Sequence, residues 1–581
     1  MKPVAVASPT NIADAPEPDR GEPGGRARTL SWWLPVALAG IYAAALAAEL
    51  PALIAHTWWS ADSASAGFVA QLYAHPSPGQ YIVLGNHGWY ETIAFYLLTR
   101  GLPGHRLLWY AVPVVAWAAT ITLVGVSARR AFGRRGAGLA VAGLLCLAPV
   151  GLMVVFQPTA HTNVLFHAAV LAAVSGWVLP RIRALSLAAV LLAGVLIGAF
   201  TALALTGDAI TLVWAVLPFA VAVGLCAWYG PAAAAARTVA FALATLTTLL
   251  GATVAFTAIA HGAGFRVDQR AQAHMLRFVT PDGLLAHVGT TFDQLAYLVG
   301  GNFLGHRIDR SGLLALLNGA LLLLGAVVVS VTVYRVARAA RGRLAAAGRT
   351  GGGGGAEITP KLVHLAFWST CWLAGLLTFL GSSAGAGNSR YLLGPLVAIA
   401  ALLPVAAARS TGWRIAVGTG VALMALVGLV RLATRPLPFL SGDSPLARRD
   451  IVAVNRFAQR YHATYGYAIY WDAVTITWQT NLHVRLHSVI ACGLFADRYC
   501  PLYHADSFTA AYRPRRGRRT LFIGDSRFGS AAAGIGWGRP IGREHIGRLT
   551  LYAYPYDIAA RFPKAPPGTI HWVISGHAPR R

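Results

Sequence analysis

Charged residues, and acidic ones above all, are scarce in this chain. Only 12% of its 581 residues are Asp, Glu, Lys or Arg, whereas soluble globular proteins carry about 25%. Hydrophobic residues make up 56%, and the mean hydropathy is +0.55. This composition excludes an ordinary soluble protein and predicts a large integral membrane protein.

Several familiar motifs are absent as well. There are five cysteines and no Cys-x-x-Cys, so a zinc-finger or iron–sulfur framework has no support. No dinucleotide-binding glycine fingerprint, P-loop or His-Glu-x-x-His occurs, so a cytosolic nucleotide-sugar donor lacks a visible site. The shortage of acids leaves a net charge of +27. In membrane proteins, excess Arg marks cytoplasmic loops and lipid contact, so we expect membrane lipids and no nucleic acid as partners.

Long apolar runs dominate what is present. A spanning helix needs about 20 mainly apolar residues. The sequence predicts a mainly α, polytopic protein with about 11 transmembrane helices, preceded by a disordered cytoplasmic tail at 1–29 rich in Pro, Gly, Asp and Glu. The expected spans are 31–54, 107–127, 137–156, 164–179, 185–205, 209–229, 238–260, 312–334, 361–380, 391–408 and 414–432.

The connections between these spans alternate in charge. Arg is concentrated in every second one, as in "ARRAFGRR" (128–135) and "YRVARAARGRL" (334–344), whereas "QPTAHTN" and "TGD" have no Arg or Lys. Under the positive-inside rule, this pattern places the N-terminus in the cytoplasm of a multi-pass cell-membrane protein. It places the loops 56–106 and 261–311 and the segment 433–581 outside.

The segment 433–581 differs in character from the rest. Alternating patterns such as "YAIYWDAVTITW" and "LHVRLHSVIAC" predict strands, and we expect a small exterior α/β domain. Cys492 and Cys500 lie eight positions apart in it, on the oxidising side, where a disulfide is plausible; two free thiols are the alternative. Asp472, among aromatic residues, suits either sugar binding or strand packing.

Asp62 is the most informative residue of the first exterior loop. It follows the Trp58–Trp59 pair, which suits a membrane boundary, and precedes an apolar stretch, "GWYETIAFYLLTRGLPG", predicted to lie along the interface. A carboxylate held there can act as a general base or coordinate a divalent cation. It can equally cap a helix that begins at Ser63.

The front of the chain resembles the GT-C glycosyltransferases. Asp62 after the first span, the interfacial helix, and "HRLLWYAVPVVAWAATITLVGVSARRAFGRRGAGLAVAGLLCLAPV" follow that family's layout, as does the later "NSRYLLGP" at 388–395. The likeness is to the branch that includes protein O-mannosyltransferases and the lipid A aminoarabinose transferase. It covers about residues 30–230 and 385–410.

This resemblance implies a function. Members of the family transfer a sugar from a polyprenyl-phosphate lipid to an acceptor outside the membrane, with an acid of the first exterior loop as the base. For this chain that implies Asp62 as catalytic base in an inverting transfer to a cell-envelope glycan, lipid or protein. The implied lipid phosphate needs cationic partners, for which Arg390 is the best candidate; a snorkelling Arg is the alternative.

The chain also departs from the family pattern. Ser63 replaces the second acid often found after the base, and "FQPTAHTN" offers His161 where the family often has Arg-Pro-Asp. A requirement for Mg or Mn is therefore open. Further candidates for substrate binding are His75, His87, Glu91 and Arg270, the last predicted to share a helical face with Arg266 and Arg277 over the donor groove.

Two other functions remain open from the sequence. A lipid or glycan transporter would place its polar sites near the bilayer midplane and show internal repeats, and neither is found. A non-catalytic GT-C-like assembly protein is favoured by the missing second acid. Asp208, in "TGDAI", either caps the sixth span or faces the catalytic cavity, since acids near membrane depth are usually functional.

Overall fold

The structure is a computed structural model of the whole chain. It describes residues 25–57, 81–83, 98–99, 102, 105–157, 161–262, 265–267, 278–304, 307–350, 358–382, 388–408, 410–434, 448–492, 498–502, 509–526 and 537–562. Residues 1–24 of the predicted tail at 1–29 and most of the first loop, with nearly all of its expected interfacial helix, lie outside these ranges, whereas residues 25–29 belong to the first helix.

The first part of the chain is a bundle of long apolar helices. Its helices are α1 (Gly25–Ala48), α2 (Leu50–Thr57), α3 (His105–Leu145), α4 (Pro149–Phe156), α5 (Thr162–Val178), α6 (Leu187–Gly207), α7 (Leu217–Tyr229), α8 (Ala232–Gly262), α9 (Leu284–Leu298), α10 (Arg310–Thr350), α11 (Pro360–Gly381), α12 (Leu393–Ala407) and α13 (Thr411–Thr434). A π-helical turn, Leu212–Val216, precedes α7, and a 3-10 turn, Ser389–Leu392, precedes α12.

Within the described residues, nine helices are long and apolar enough to cross a membrane, and Trp33–Ala48 is a shorter apolar helix. The sequence predicted eleven spans. The difference in number arises at α1, whose apolar part is short, and at α3, which is counted as one span of 35 residues. The protein is thus a multi-pass membrane protein by the length and composition of its helices.

The helix α3 is a hairpin rather than a rod. Gly133 has φ 72° and ψ −171°, a combination that is essentially restricted to glycine. An ideal Cβ on Gly125 would lie 2.9 Å from Val141 Cγ2, whereas residues 16 apart in a straight helix are separated by about 24 Å. The basic segment predicted between the second and third spans is therefore the turn of this hairpin.

The helix α12 forms the centre of the bundle. In the apolar stretch of Ser389–Ala407, 78% of the residues are buried. In that of Ala234–Gly262, only 17% of the residues are buried, and apolar side chains are exposed. Since the exposed side chains are apolar, such as Val254 and Leu250, we interpret them as facing lipid. The central position of α12 explains why its first residues can contact several other helices.

The helices α6 and α8 approach each other closely. An ideal Cβ on Gly194 would lie 2.9 Å from Ala244 Cβ and 3.0 Å from Phe241 O, and one on Gly198 would collide with Thr245 O. Gly194 and Gly198 form a Gly-x-x-x-Gly pair, the pattern that lets helix backbones meet in membranes. This Gly-x-x-x-Gly pair is visible in the sequence, but the contact between the two helices was not predicted from it.

Two short strands join the two large loops. The strand β1 (Tyr81–Val83) pairs in parallel with β2 (Phe265–Val267), with Tyr81 opposite Phe265. Arg266 is therefore on a strand, so the prediction that it lies on a helical face is wrong. Phe278 forms a bridge with Ser382, and Val279 N donates to Gly381 O at 2.9 Å. The second loop is thus anchored to the end of α11.

The C-terminal part is an α/β domain, as predicted. Its elements are α14 (Arg448–Arg460), β3 (Tyr465–Ile469), α15 (Tyr470–Gln479), β4 (Arg485–Cys492), β5 (Arg498–Pro501), β6 (Thr520–Asp525), β7 (Gly542–Ile546) and β8 (Leu549–Tyr554). The strands form one sheet in the order β5-β4-β3-β6-β8-β7, in which β3 is parallel to β4 and β6.

One strand prediction for this domain is wrong in part. Of "YAIYWDAVTITW", only the first residues belong to β3, and Tyr470–Gln479 is the helix α15. Tyr470 and the residues from Asp472 to Trp478 are buried, Trp478 at 1% exposure, whereas Trp471 is exposed. A short helix that is buried on nearly every side shows little helical period, so the alternation with aromatic residues was mistaken for a strand.

Candidate functional site

Most residues predicted for the site lie outside the described part of the chain. These are Asp62, His75, His87, Glu91 and Arg270, and their roles stay predictions. Three residues that the sequence analysis singled out near the bundle are described: His161, Asp208 and Arg390. The structure brings His161 and Asp208 into contact. It places Arg390 next to Tyr391, whose ring contacts that of His161.

His161 and Asp208 form a buried pair. His161 precedes α5, and Asp208 follows α6 as its C-cap. The Nδ1 atom of His161 is hydrogen-bonded to Oδ2 of Asp208, and the two side chains are 0% and 1% exposed. The pair therefore joins the ends of two helices at what we call the His161 end of the bundle.

The second oxygen of Asp208 has a local partner. Oδ1 accepts a hydrogen bond from Ile210 N at 3.1 Å, which stabilises the turn after α6. Asp208 is thus the C-cap of α6, the fifth predicted span, whereas Thr211 is the N-cap of the π-helical turn that opens the sixth; that Asp208 faces a catalytic cavity stays a prediction. A buried carboxylate is costly unless it is paired and hydrogen-bonded, and among the described residues these contacts come from Ile210 and His161.

Trp214 forms one wall beside the pair. Its ring centroid is 5.7 Å from that of His161 in an edge-to-face arrangement, and its side chain is fully buried. It belongs to the π-helical turn, a feature that is often found at functional sites. An ideal Cβ on Gly394 would lie 2.5 Å from Trp214 Cδ2, so α12 offers bare backbone where the indole packs.

Tyr391 and Arg390 form the other wall. The Tyr391 ring centroid is 4.7 Å from that of His161, and Arg390 Cζ is 5.3 Å from the Tyr391 ring centroid. Both residues lie in the 3-10 turn that leads into the central helix α12. A cation is thus held by an aromatic face near the buried pair. We call His161, Asp208, Trp214, Tyr391 and Arg390 the His161 cluster.

The rings of His161 and Trp214 each have a buried nitrogen, Nε2 and Nε1 respectively, without a hydrogen-bond partner in the described part of the protein. An unpaired buried polar atom costs about 1–3 kcal/mol and calls for an explanation. The described residues therefore leave hydrogen-bonding capacity unused on both rings.

An apolar cavity also adjoins α12. It has a volume of about 80 Å³ and is lined by residues of α3, α10, α12 and α13 together with Leu147 and Val299, and no residue of the His161 cluster lines it. Along α12 its wall extends from Leu393 to Leu403, a distance of about 15 Å in a helix. The central helix thus borders both the polar cluster and an apolar space.

Trp214 and Tyr391 were missed as site residues by the sequence analysis. Trp214 occurs within an apolar run and carries no signal of its own. Tyr391 was part of the quoted "NSRYLLGP", and its position next to Arg390 was the available signal. Their relation to His161 is tertiary, because these residues come from three separate segments of the chain.

A metal site is not seen in the part of the chain that the structure describes. There, no group of three or more His, Cys, Asp and Glu side chains is arranged to hold a metal ion. Whether Mg or Mn is required at Asp62 stays open, since Asp62 is outside these residues.

Two buried acids of the C-terminal domain pair with Arg548. Arg548 Nε donates to Asp525 Oδ2 at 2.9 Å, and Arg548 Nη2 is 3.9 Å from Asp472 Oδ1. Asp472 and Asp525 are almost fully buried, and they lie near the ends of the parallel strands β3 and β6. Asp472 thus has a structural role in holding Arg548 at the edge of these strands.

The cysteines fall into two groups. Cys146, Cys226 and Cys371 are free and buried in the bundle, in agreement with a packing role. Cys500 is disulfide-bonded. In the antiparallel pair β4–β5 it lies opposite Ile490, two residues from Cys492. The side chain of Cys492 is outside the described part, so its identity as the partner stays a prediction.

Comparison with known proteins finds similarity at the level of structure. No family model and no curated protein matches the chain. ArnT from Cupriavidus metallidurans bound to undecaprenyl phosphate is 12% identical with a TM-score of 0.46, covering 87% of this chain and 98% of that one. The apo state of ArnT is 15% identical with a TM-score of 0.39, covering 90% and 99%.

The archaeal oligosaccharyltransferase AglB from Archaeoglobus fulgidus, in complex with an inhibitory peptide and a dolichol-phosphate, is also similar. It is 14% identical with a TM-score of 0.37, covering 74% of this chain and 60% of that one. The chain is thus similar in structure, over most of its length, to members of the family that its sequence resembles. With every TM-score below 0.5, what this chain does is inferred from its own residues.

Proposed function

We propose that the chain is a membrane glycosyltransferase that takes a sugar from a polyprenyl-phosphate donor and joins it to an extracytoplasmic acceptor. One observation carries the proposal. Arg390 and Tyr391 lie beside a buried His–Asp pair at the start of the central helix, and the same helix lines an apolar cavity from Leu393 to Leu403. A lipid-linked phosphate has the same two parts, an anionic group and an apolar chain.

The polar part of the cluster suits a phosphate. Arg390 has a planar guanidinium, which binds phosphate oxygens in pairs. It precedes α12 by three residues, and the positive end of a helix dipole favours an anion. The Tyr391 ring supports the guanidinium from one side, so less side-chain freedom is lost when a phosphate binds.

The apolar part suits an isoprenoid chain. The cavity walls are formed by Leu, Val, Ile, Ala, Gly, Trp and Met side chains from four helices. Burial of apolar surface contributes about 25 cal/mol per Å². A chain that follows α12 for about 15 Å would therefore add affinity without any polar contact.

In the proposed reaction Asp62 is the general base. It accepts the proton of the acceptor hydroxyl while the acceptor oxygen forms a bond to the anomeric carbon. The bond between that carbon and the phosphate oxygen breaks, and polyprenyl phosphate leaves. A single displacement of this kind inverts the anomeric configuration. His75, His87, Glu91 and Arg270 are proposed to contact the substrates from the two large loops.

The test is the substitution Asp62→Asn in the full-length protein. Loss of the base should lower transfer of labelled sugar by about 10²–10⁴-fold, while binding of the lipid donor is retained, because the base contacts the acceptor. Asn is about as good an N-cap as Asp, so the alternative capping role predicts nearly unchanged transfer and stability.

Glu49→Gln is a matched control, because Glu49 is an exposed acid between α1 and α2. It should transfer sugar at the wild-type rate. Near-wild-type transfer by Asp62→Asn would remove Asp62 as the base. Failure of the wild-type protein to bind a polyprenyl phosphate in preference to the corresponding polyprenol would reject the proposed function itself.

A further inference from the structure

We propose that the C-terminal domain binds a linear anionic glycan of the cell envelope through a row of arginines at one edge of its sheet. The glycan is recognised by its repeated phosphate or carboxylate groups. This surface belongs to a different domain from the His161 cluster, and the inference does not depend on the proposed transfer reaction. Three observations carry it: where the strands place the arginines, how their turn is held, and where the acids of the domain lie.

The strand topology collects arginines at one edge of the sheet. The parallel strands β3, β4 and β6 begin at this edge. Thr520 of β6 pairs with Tyr554, the last residue of β8, and Gly542, the first residue of β7, pairs with the preceding Ala553. Residues that begin or precede the other strands, or that follow β8, therefore lie together. They include Arg485, Arg513, Arg515, Arg516, Arg518, Arg519, Arg539 and Arg561, which we call the arginine edge.

The turn before β6 holds part of this edge in place. Arg518 N donates to Arg515 O at 3.4 Å, and Gly517 supplies the positive φ of 72° that the turn requires. Arg515 N donates to Oδ2 of the buried Asp557 at 3.1 Å. Cζ of Arg518 lies 3.1 Å from the centroid of the Tyr465 ring, a stacking that suits a planar guanidinium. Basic groups that are ordered in advance lose less freedom when a ligand binds.

The acids of the domain do not neutralise this edge. Three of them lie at the opposite edge, where β3 and β6 end: Asp450, Asp472 and Asp525. Glu544 is paired with Arg460 at 3.3 Å, and Asp557 is buried beneath the turn. Within the described residues, the exposed Arg513, Arg515, Arg516 and Arg519 form no ion pair. Clustered like charges repel one another, so an anionic partner would relieve this edge.

The length of the row suits an extended polymer. Neighbouring strands are about 4.8 Å apart, so an edge that crosses five strands from β4 to β7 is about 19 Å long. A guanidinium binds phosphate or carboxylate oxygens in pairs. A linear glycan with charges on successive repeats can contact several arginines at once, and contacts made by one chain reinforce each other. A single small anion would use only part of the row.

The connection to the bundle enters the domain at the other edge. Residue Asp450, in the first turn of α14, lies near Gly547 beside the end of β6. At the other end of α14, Tyr461 O accepts from Arg519 Nη1 at 3.2 Å. The helix is about 20 Å long, so the chain from α13 arrives far from the arginine edge.

The composition of the edge also favours an aqueous polymer over a lipid surface. Surfaces that enter a membrane combine basic residues with several apolar ones. Among the large exposed apolar side chains described in this domain, Ile541 is the one beside the arginine edge; Val452 and Trp471 belong to α14 and α15. Since residues 433–581 are predicted to lie outside, the polymer that this edge fits is a component of the envelope.

The inference is tested by binding to the full-length protein in phosphatidylcholine nanodiscs, whose lipid carries no net charge. The probes are polygalacturonate and poly(glycerol phosphate), which present carboxylates and phosphates respectively. Dextran is the uncharged polymer, and galacturonate is the single repeat. Binding of at least one anionic polymer is expected, and it should weaken as salt is raised, because salt screens exposed charges. Dextran should not bind, and galacturonate should bind far more weakly than its polymer.

A pair of double variants separates the arginine edge from net charge. Arg515→Gln with Arg516→Gln should weaken polymer binding by about threefold to thirtyfold, as for the loss of two exposed charge contacts. Both side chains are exposed, and the backbone bond of residue 515 to Asp557 is kept. The matched control is Arg449→Gln with Arg456→Gln. These arginines are exposed on α14, and their loss changes the net charge equally but should leave binding unchanged.

Each outcome decides the inference. Equal weakening by the two double variants would show that net charge alone attracts the polymer and would overturn it, as would a wild-type protein that binds neither polymer at low salt. Binding to phosphatidylglycerol vesicles, but to neither polymer, would identify a lipid surface as the partner instead. Galacturonate bound as tightly as its polymer would reject the extended row. No sugar donor is present in these measurements, so a failure of the proposed transfer reaction would leave their results unchanged.

Discussion

The position of the Trp214 ring depends on a glycine of α12, Gly394. Gly394 has no Cβ, and an ideal one would lie 2.5–2.7 Å from three atoms of the indole. Because the atoms in conflict belong to a fully buried ring rather than to a flexible chain end, the indole would have to shift. The position of the ring beside His161 therefore depends on a glycine in another helix.

The substitution Gly394→Ala is expected to destabilise the protein by about 1–3 kcal/mol, as overpacking of a tight interior does. It should also lower donor binding, because Trp214 would be displaced from its place beside His161. Thermal unfolding and binding of a polyprenyl phosphate are the measurements. Gly224→Ala is the control, because nothing lies within 4 Å of an ideal Cβ there. Equal unfolding temperatures for the two variants would contradict the packing argument.

Single residues of the site were partly predictable. The sequence drew attention to His161 through a departure from the family pattern, and to Asp208 and Arg390 as charges near the ends of spans. Their contacts were not predictable. His161 and Asp208 are 47 positions apart, and neither residue carries a pattern that pairs it with the other. Only the packing of α5 against α6 brings these ends together.

At the scale of elements, the glycines of α6 set the distance to α8. Gly198→Ala is expected to push the two helices apart and to cost about 1–3 kcal/mol, because the new methyl group would meet the backbone oxygen of Thr245. Gly251→Ala, in α8 itself, faces open space and should be neutral or slightly stabilising. Thermal unfolding in detergent distinguishes them, and a smaller loss for Gly198→Ala than for Gly251→Ala would refute the close contact.

The sheet of the C-terminal domain predicts a response to alkali. Burial, with smaller effects from the nearby Tyr556 and Tyr552, raises the pKa of Tyr554 to about 12. Burial also raises the pKa of Tyr467, with further contributions from Tyr465 and Asp557. An unfolded tyrosine ionises near pH 10. A raised pKa in the folded state means that the stabilising contribution is complete below about pH 10 and is lost above it.

Unfolding of this domain should therefore become easier between about pH 10 and about pH 12. Tyr554→Phe cannot ionise, so its stability should fall less over this range than that of the wild type. The unfolding midpoint measured at several pH values tests this. An identical pH dependence for both proteins would show that Tyr554 does not contribute.

Elements were predicted well where one physical rule decided them. Apolar length placed the spans, since a membrane requires it. The hairpin in α3 followed from its basic turn, although only the structure shows that Gly133 makes the reversal possible. The rule failed at α15, because a short helix buried on nearly every side has neither the length of a span nor the period of a surface helix.

At the scale of the whole molecule, orientation remains to be tested. The alternation of Arg between spans predicts that the N-terminus and 335–361 face the cytoplasm and that 433–581 lies outside. Arg513 to Arg516 are exposed on the C-terminal domain. A cysteine introduced at position 515 should therefore react with a membrane-impermeant maleimide in intact cells.

A cysteine introduced at position 338, in the segment after the eighth predicted span, is the opposite control. Arg338 is exposed on α10, and its cysteine variant should react only after the membrane is opened. Labelling of position 338, but not of position 515, in intact cells would invert the predicted topology and with it the side on which the proposed transfer takes place.

The parallel pairing of β1 with β2 has a consequence for biosynthesis. Residues 81–83 pair with residues 265–267, and two parallel strands need a long connection; here that connection includes α3 to α8. During translation the first loop is therefore made long before its partner strand exists. A nascent chain that stops short of residue 265 would carry Asp62 without this pairing. Assembly of the loops is thus coupled to insertion of the helices between them, so that the proposed active site forms only after most of the bundle has entered the membrane.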